Sequence, residues 1–136
     1  MMSDAVNNIE TVLRFIDAMQ ANEKEGILAF FDDESVFNNI PMGAVKGAEG
    51  VWSVLGPLHE TAASVEYVIH HIAQSQDGVV LTERTDRYQL EDRVAEFPVM
   101  GAFQVEGKII RRWTDYFDMA QCLEQMPPGT ELPSTG

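Results

Sequence analysis

Two acids and an arginine occur at a spacing that could move protons. In Glu83-Arg84-Thr85-Asp86, Arg84 and Asp86 stand two residues apart, so on a β-strand they share one face. Val80, Thr82 and Tyr88 belong to that face, a mixed apolar set, whereas Glu83, Thr85 and Arg87 make the other face the wetter one. A lone charge on the drier face is costly, so the arginine and the aspartate need each other. Farther along, Ile109, Arg111, Trp113, Asp115 and Phe117 share one face, and Ile110, Arg112, Thr114 and Tyr116 the other. Asp115 is therefore a carboxylate set among aromatics. If it faces Arg84, one guanidinium can grip both acids with its fork of donors. Two carboxylates beside one arginine, inside apolar walls, tend to retain a proton between them. One acid protonated and one ionised near neutral pH is what general acid–base catalysis requires. The same three residues could equally be an ion-pair clamp between two strands, since such networks also perturb pKa values.

Other polar residues offer less. Asn39 ends an apolar run just before Pro41 and Gly43, and suits either an Asx turn or an amide that orients a water. His59, His70 and His71 have no metal-ligand spacing, so no metal is assigned. Cys122 has no neighbour that would lower its pKa and reads as inert. Trp52, Leu55, Leu58, Phe97, Val99 and Phe103 read as core, some of which would line a pocket if the sheet is curved.

The elements that must position these groups divide the chain in two. Val6, Ile9, Leu13 and Ile16 form one helical stripe over about residues 3–21, with Ser3 as N-cap and Asp4 in the positive first turn. A short helix is expected over residues 23–31, and then a strand over residues 35–40 that stops at Pro41. A third helix should cover about residues 48–62, with Pro57 kinking or splitting it near Leu55-Gly56. The second half changes to β-type patterning over residues 65–73, 79–90, 94–105 and 108–117. Gln76-Asp77-Gly78 and Glu106-Gly107 are tight turns, so the strands they join are antiparallel. Helices followed by a meander predict an α+β domain over residues 1–126. Three of the six prolines follow Met126, which makes residues 127–136 a tail.

Composition narrows the possible partners. At 136 residues the chain can bury a real core as one domain. Nine Lys plus Arg against 22 Asp plus Glu give a net charge of −13, which argues against nucleic acid and against an anionic membrane surface. A single cysteine excludes an internal disulfide framework. No run is long and apolar enough to span a bilayer, and the start lacks a signal-peptide pattern. The chain is expected to be cytoplasmic, with a small molecule as its partner.

Phe37-Asn38-Asn39-Ile40-Pro41, Glu83-Arg84-Thr85-Asp86 and Trp113-Thr114-Asp115-Tyr116-Phe117-Asp118 occur in this order. Together they resemble the limonene-1,2-epoxide hydrolase family, part of the NTF2-like, SnoaL-like superfamily, over about residues 8–126. The resemblance implies a cone in which a curved mixed or antiparallel sheet wraps against N-terminal helices. It implies a one-step, cofactor-free addition of water to an epoxide, giving a vicinal diol. Asp115 would take a proton from the attacking water, Asn39 would help hold that water, Asp86 would protonate the epoxide oxygen, and Arg84 would bridge the acids. The positions matching the family's pocket are Trp52, Leu55, Leu58, Phe97, Val99 and Phe117, which imply a bulky hydrophobic substrate. Tyr88 and Phe97 imply a pocket shape unlike that for limonene oxide, and a homodimer through the outer sheet face near Met100 and Ala102 is also implied. One position departs from the pattern: Phe37 stands where the family has a tyrosine that tethers the water. Tyr67 or Tyr88 could replace that donor.

Two other functions fit the same residues. A ketosteroid-isomerase-like or SnoaL-like isomerase or cyclase would use Asp115 or Asp86 to remove a proton alpha to a carbonyl. An arginine that holds both acids leaves neither as a free base, which argues against it. A non-catalytic protein that stores a hydrophobic ligand in the cone would keep the Arg–Asp cluster as structural glue, and Phe37 suits that role.

Overall fold

The computed structural model describes residues 2–130, with side chains from residue 8 onward. Ten elements follow in the order α1 (Met2–Ala21), α2 (Lys24–Leu28), β1 (Val36–Asn39), β2 (Gly43–Lys46), α3 (Gly47–Thr61), β3 (Ser64–Gln74), β4 (Val80–Gln89), β5 (Val94–Glu106), β6 (Ile109–Tyr116) and α4 (Met119–Glu124). The six strands form one sheet in the order β2-β1-β6-β5-β4-β3. The meander from β3 to β6 is antiparallel throughout, as the tight turns require. β1 returns to the far side of β6 and pairs with it in parallel, which brings Asn39 level with Asp115. The result is an α+β domain whose sheet curves around a core closed by the helices. Among the described residues, no helix is long and apolar enough to cross a membrane.

The first helix buries a different stripe from the one its aliphatic residues suggest. Val12, Phe15, Ile16 and Met19 are inside, whereas Leu13 is 41% exposed. The reason is Phe15, whose ring meets the edges or faces of Phe30, Phe31, Phe103 and Trp113 at 5.1–6.2 Å. Burying an aromatic removes more apolar surface from water than burying a leucine, so the helix turns to seat Phe15. Val6 and the proposed Ser3 cap lie outside the residues whose side chains are described. The helix already includes Ser3.

Two further expectations are corrected. Pro57 sits inside α3 without ending it. The residue before a proline normally leaves the helical region because its Cβ meets the ring, but Gly56 has no Cβ. That same absence lets the Trp52 indole lie against the helix, since a Cβ on Gly56 would come within 2.9 Å of Trp52 Nε1. The stretch after Pro41 is a strand, β2, folded back on β1 through a turn in which Gly43 takes φ +98°.

β6 also breaks the simple alternation. Gln104 pairs with Arg112 but Val105 pairs with Ile110, so Arg111 is the extra residue of a bulge. Ile110 therefore turns into the core, fully buried, and Arg111 faces Asp32 and Glu106 at the half-exposed rim. Beyond the bulge, alternation resumes with Trp113 and Asp115 inside. The outer face of the sheet carries Leu81, Met100 and Tyr116 as exposed apolar side chains.

Candidate active site

β4 delivers Arg84 and Asp86 to the inside of the sheet with Thr82 below and Tyr88 above, all nearly fully buried. The parity follows from Val80, which is wholly buried at the strand's start. Asp115 arrives from β6, two strands away. The strand between them would ordinarily fill the gap with a side chain, but the residue level with both Thr82 and Asp115 is Gly101. A Cβ at Gly101 would lie 2.5 Å from Arg84 Nη1 and 2.6 Å from Asp115 Oδ1. The glycine thus leaves the space through which the guanidinium reaches across β5.

All five N–H groups of Arg84 are engaged. Nε donates to Asp86 Oδ1 at 2.9 Å and Nη2 to Asp86 Oδ2 at 3.0 Å. Nη2 also donates to Asp115 Oδ2 at 2.9 Å, and Nη1 to Asp115 Oδ1 at 3.3 Å and Thr82 Oγ1 at 3.0 Å. Trp113 Nε1 adds a bond to Asp115 Oδ1 at 2.7 Å. Oδ1 of Asp115 is consequently saturated with donors, while among the described residues Oδ2 accepts only one and retains a free lone pair. Each Asp86 oxygen also retains one.

The three groups carry one excess negative charge when both acids are ionised, and all three are buried. Burial pushes the Asp86 carboxyl up to about 6, against the pull of Arg84, with the Asp115 charge adding to the rise. Burial works against the Arg84 charge too, but the two carboxylates outweigh it and hold the guanidinium protonated. The cluster is thus built to keep a proton on Asp86 through mildly acidic pH.

Above the acids lies a partly enclosed cavity. Asn39, Asp86 and Asp115 reach its wall, and Phe37, Leu55, Leu58, Tyr88, Phe97, Val99 and Phe117 also line it. Asn39 is almost completely buried, and among the described residues its Oδ1 has no hydrogen-bond partner. Such an atom is costly unless something donates to it.

Trp52 does not line this cavity. It borders a shallow open depression on the other side of α3, one residue round the helix from inward-facing Val51. Phe37 lines the cavity by its ring, stacked on Trp113 at 3.9 Å between centroids and 12° between planes. It thereby backs the indole that donates to Asp115.

His59 and Tyr67 also line the cavity, although patterning singles out neither as a pocket residue. His59 Nε2 lies 2.9 Å from Tyr67 Oη, which lies 2.7 Å from Tyr88 Oη. The two tyrosines thus bond to each other, and neither bonds directly to Asn39 or Asp115. Cys122 is buried and its thiol is pushed up to about 11 by burial, so it carries no thiolate.

Known proteins share this arrangement of elements. Residues 6–128 match the family model described as the limonene-1,2-epoxide hydrolase catalytic domain. The epoxide hydrolase EphG of Mycobacterium tuberculosis H37Rv is 30% identical over 105 residues, which cover 77% of this chain and 69% of that protein. A solved M. tuberculosis epoxide hydrolase of the same type superposes with a TM-score of 0.72 at 27% identity, covering 90% of this chain and 89% of that one. At the level of fold alone, an NTF2-like protein from Burkholderia pseudomallei K96243 superposes with a TM-score of 0.73 at 17% identity, covering 88% of this chain and 96% of that one. From the match over nearly all its length, the chain belongs to the limonene-1,2-epoxide hydrolase family.

Proposed function

We propose that the protein adds water to an apolar epoxide in one step, without a cofactor, to give a vicinal diol. The observation that carries this is a pair of buried acids gripped by one guanidinium, facing a cavity that also holds an amide oxygen without a partner among the described residues. A water donating one hydrogen to Asn39 Oδ1 and the other to Asp115 Oδ2 satisfies both free acceptors. Asp115 then removes the proton as the water oxygen attacks an epoxide carbon. Asp86, protonated, gives its proton to the oxirane oxygen as the C–O bond breaks. Protons and charge balance: Asp115 ends protonated, Asp86 ends ionised, and Arg84 stays charged between them. Reset needs only a proton passed from Asp115 to Asp86, directly or through solvent. Ring strain supplies much of the driving force, so placing water and proton donor on either side of the epoxide is the protein's main contribution.

Full donor occupancy of Arg84 speaks against the isomerase reading, because both acids are held for a joint task. It also means that Arg84 has no N–H left for substrate.

Two outcomes follow for this reaction. Because Asp86 must be protonated, hydrolysis should fall as pH rises through about 6, the value to which burial raises this carboxyl. A profile of kcat/KM against pH that is flat from 5 to 8 would contradict Asp86 as the acid. Phe37→Tyr should restore a donor beside the water and raise the hydrolytic rate, by roughly ten- to a thousand-fold if the new bond is worth ~1–4 kcal/mol in the transition state. An unchanged or lower rate would mean that the water is held in another way.

A further inference from the structure

The hydrogen bonds around His59 have a direction that can be worked out from one end. The Asn22 amide bonds twice to His59, through Nδ2 to its backbone oxygen and through Oδ1 to its ring Nδ1, both at 2.9 Å. A carbonyl only accepts, so the atom on the His59 carbonyl is the amide nitrogen and the atom facing Nδ1 is the amide oxygen. His59 Nδ1 therefore carries a hydrogen and donates it. Burial drops the His59 pKa to about 4, so at neutral pH the ring has only that one N–H. Its Nε2 must accept, and Tyr67 is the donor. Tyr67 has then spent its only hydrogen, so in the Tyr67–Tyr88 bond the donor is Tyr88.

Each member of the chain is held firmly. Asn22 closes the end of α1 in the left-handed region, at φ 57°, a conformation asparagine tolerates. His59 and Tyr67 are 2% and 4% exposed, and the Tyr67 ring lies 5.7 Å from the Arg84 guanidinium carbon. Tyr88 ends the chain. It lines the cavity, its hydrogen is committed to Tyr67, and among the described residues nothing donates to its oxygen. Stacked beside Phe97, Tyr88 thus presents one oriented acceptor to the cavity.

We infer that Tyr88 Oη is a specificity-determining acceptor, and that the substrate is an epoxide bearing a hydroxyl or N–H group that donates to it. Tyr88 follows Asp86 by two residues, about 7 Å along the strand. An oxirane has no hydrogen to donate, so the donor group belongs on the substrate's carbon frame, not on the ring. An ether or ketone at that place has no hydrogen to offer and would leave the tyrosine oxygen facing another acceptor. The substrate's epoxide rests on the proposed function, whereas the donor requirement does not.

Binding without turnover tests the subsite separately from hydrolysis. The probes are 4-methylcyclohexanol and its methyl ether, nearly alike in shape but differing in the hydrogen, with affinities read by calorimetry on the whole protein. The alcohol should bind at least about tenfold more tightly, the difference that about 1.4 kcal/mol makes. Tyr88→Phe should bring the ratio near one. Tyr67→Phe should also bring it down toward one, because Tyr88 then has no acceptor for its own hydrogen and offers it to the cavity, where both probes can accept it. Equal binding of the two probes by the unaltered protein overturns the inference, as does failure of the alcohol to bind or a ratio that survives Tyr88→Phe. The comparison on unaltered protein stands even if a variant fails to fold. Donor preference without diol formation would retain the subsite and reject the hydrolase reading, and diol formation without donor preference would do the reverse.

Discussion

Asp115→Asn should abolish diol formation while leaving the domain folded. The amide has the size of the carboxyl, and its oxygen can still accept from Trp113 Nε1 or Arg84, so the packing around it is kept. What is lost is the lone pair on Oδ2 that takes the water's proton. Removing a positioned general base costs about 10²- to 10⁴-fold in rate. An amide N–H turned toward the Arg84 fork adds a stability penalty of about 1–3 kcal/mol. Diol yield from a panel of epoxides, set beside thermal melts, separates the two effects. A folded Asp115→Asn protein that still makes diol would remove Asp115 as the base.

Gly101→Ala should be almost as damaging, from a residue that touches no substrate. The added carbon would lie 2.5 Å from Arg84 Nη1, 2.6 Å from Asp115 Oδ1 and 3.0 Å from Thr82 Oγ1. These atoms are the ends of side chains, but they cannot swing away freely: all are buried, and Arg84 Nη1 is bonded to both of the others. Either the guanidinium retreats toward Asp86 and releases Asp115, or the strand shifts. Crowding of this kind costs about 1–3 kcal/mol in stability. The activity loss should be larger, because displacement by about 1 Å of groups that must meet a reacting atom costs on the order of 10²-fold. Melting and turnover measured together check this, and wild-type rates in Gly101→Ala would show that the bridge across β5 is not needed.

The acid–arginine cluster was readable from sequence because its members follow strand parity. β4 alternates strictly from Val80 to Tyr88, and once Val80 is inside, Arg84 and Asp86 must be inside too. Asp115 obeys the same rule after the bulge. Parity counted from Ile109 still reached the right face for it, but it put Arg111 on the inner face and wholly buried Ile110 on the outer one. A bulge leaves no mark in a pattern of apolar and polar residues, since its signature is a change of partner. Gly101 was illegible for the same reason. Its importance depends on what stands on the two neighbouring strands, and a glycine in a strand looks alike whether it clears a path or merely weakens pairing.

The helices show a second limit. Leu13 and Phe15 offered competing faces for α1, and the choice fell to the cluster of Trp113, Phe30, Phe31 and Phe103, which only the assembled fold supplies. Pro57 was expected to kink or split α3, and the helix runs through it unsplit, with a glycine before the proline. His59 lacked any metal-like spacing and so carried no functional expectation. Its partners, Asn22 and Tyr67, come from the end of α1 and from β3, so no local pattern could have joined them.

The most direct test of the central claim is a single turnover in H₂¹⁸O with enzyme in excess over an apolar epoxide. If Asp115 acts as a base on water, the first diol formed carries one ¹⁸O and the protein none. If the first diol instead carries unlabelled oxygen, and the label appears in an aspartate of the protein, then a carboxylate has attacked the epoxide itself and the account is wrong.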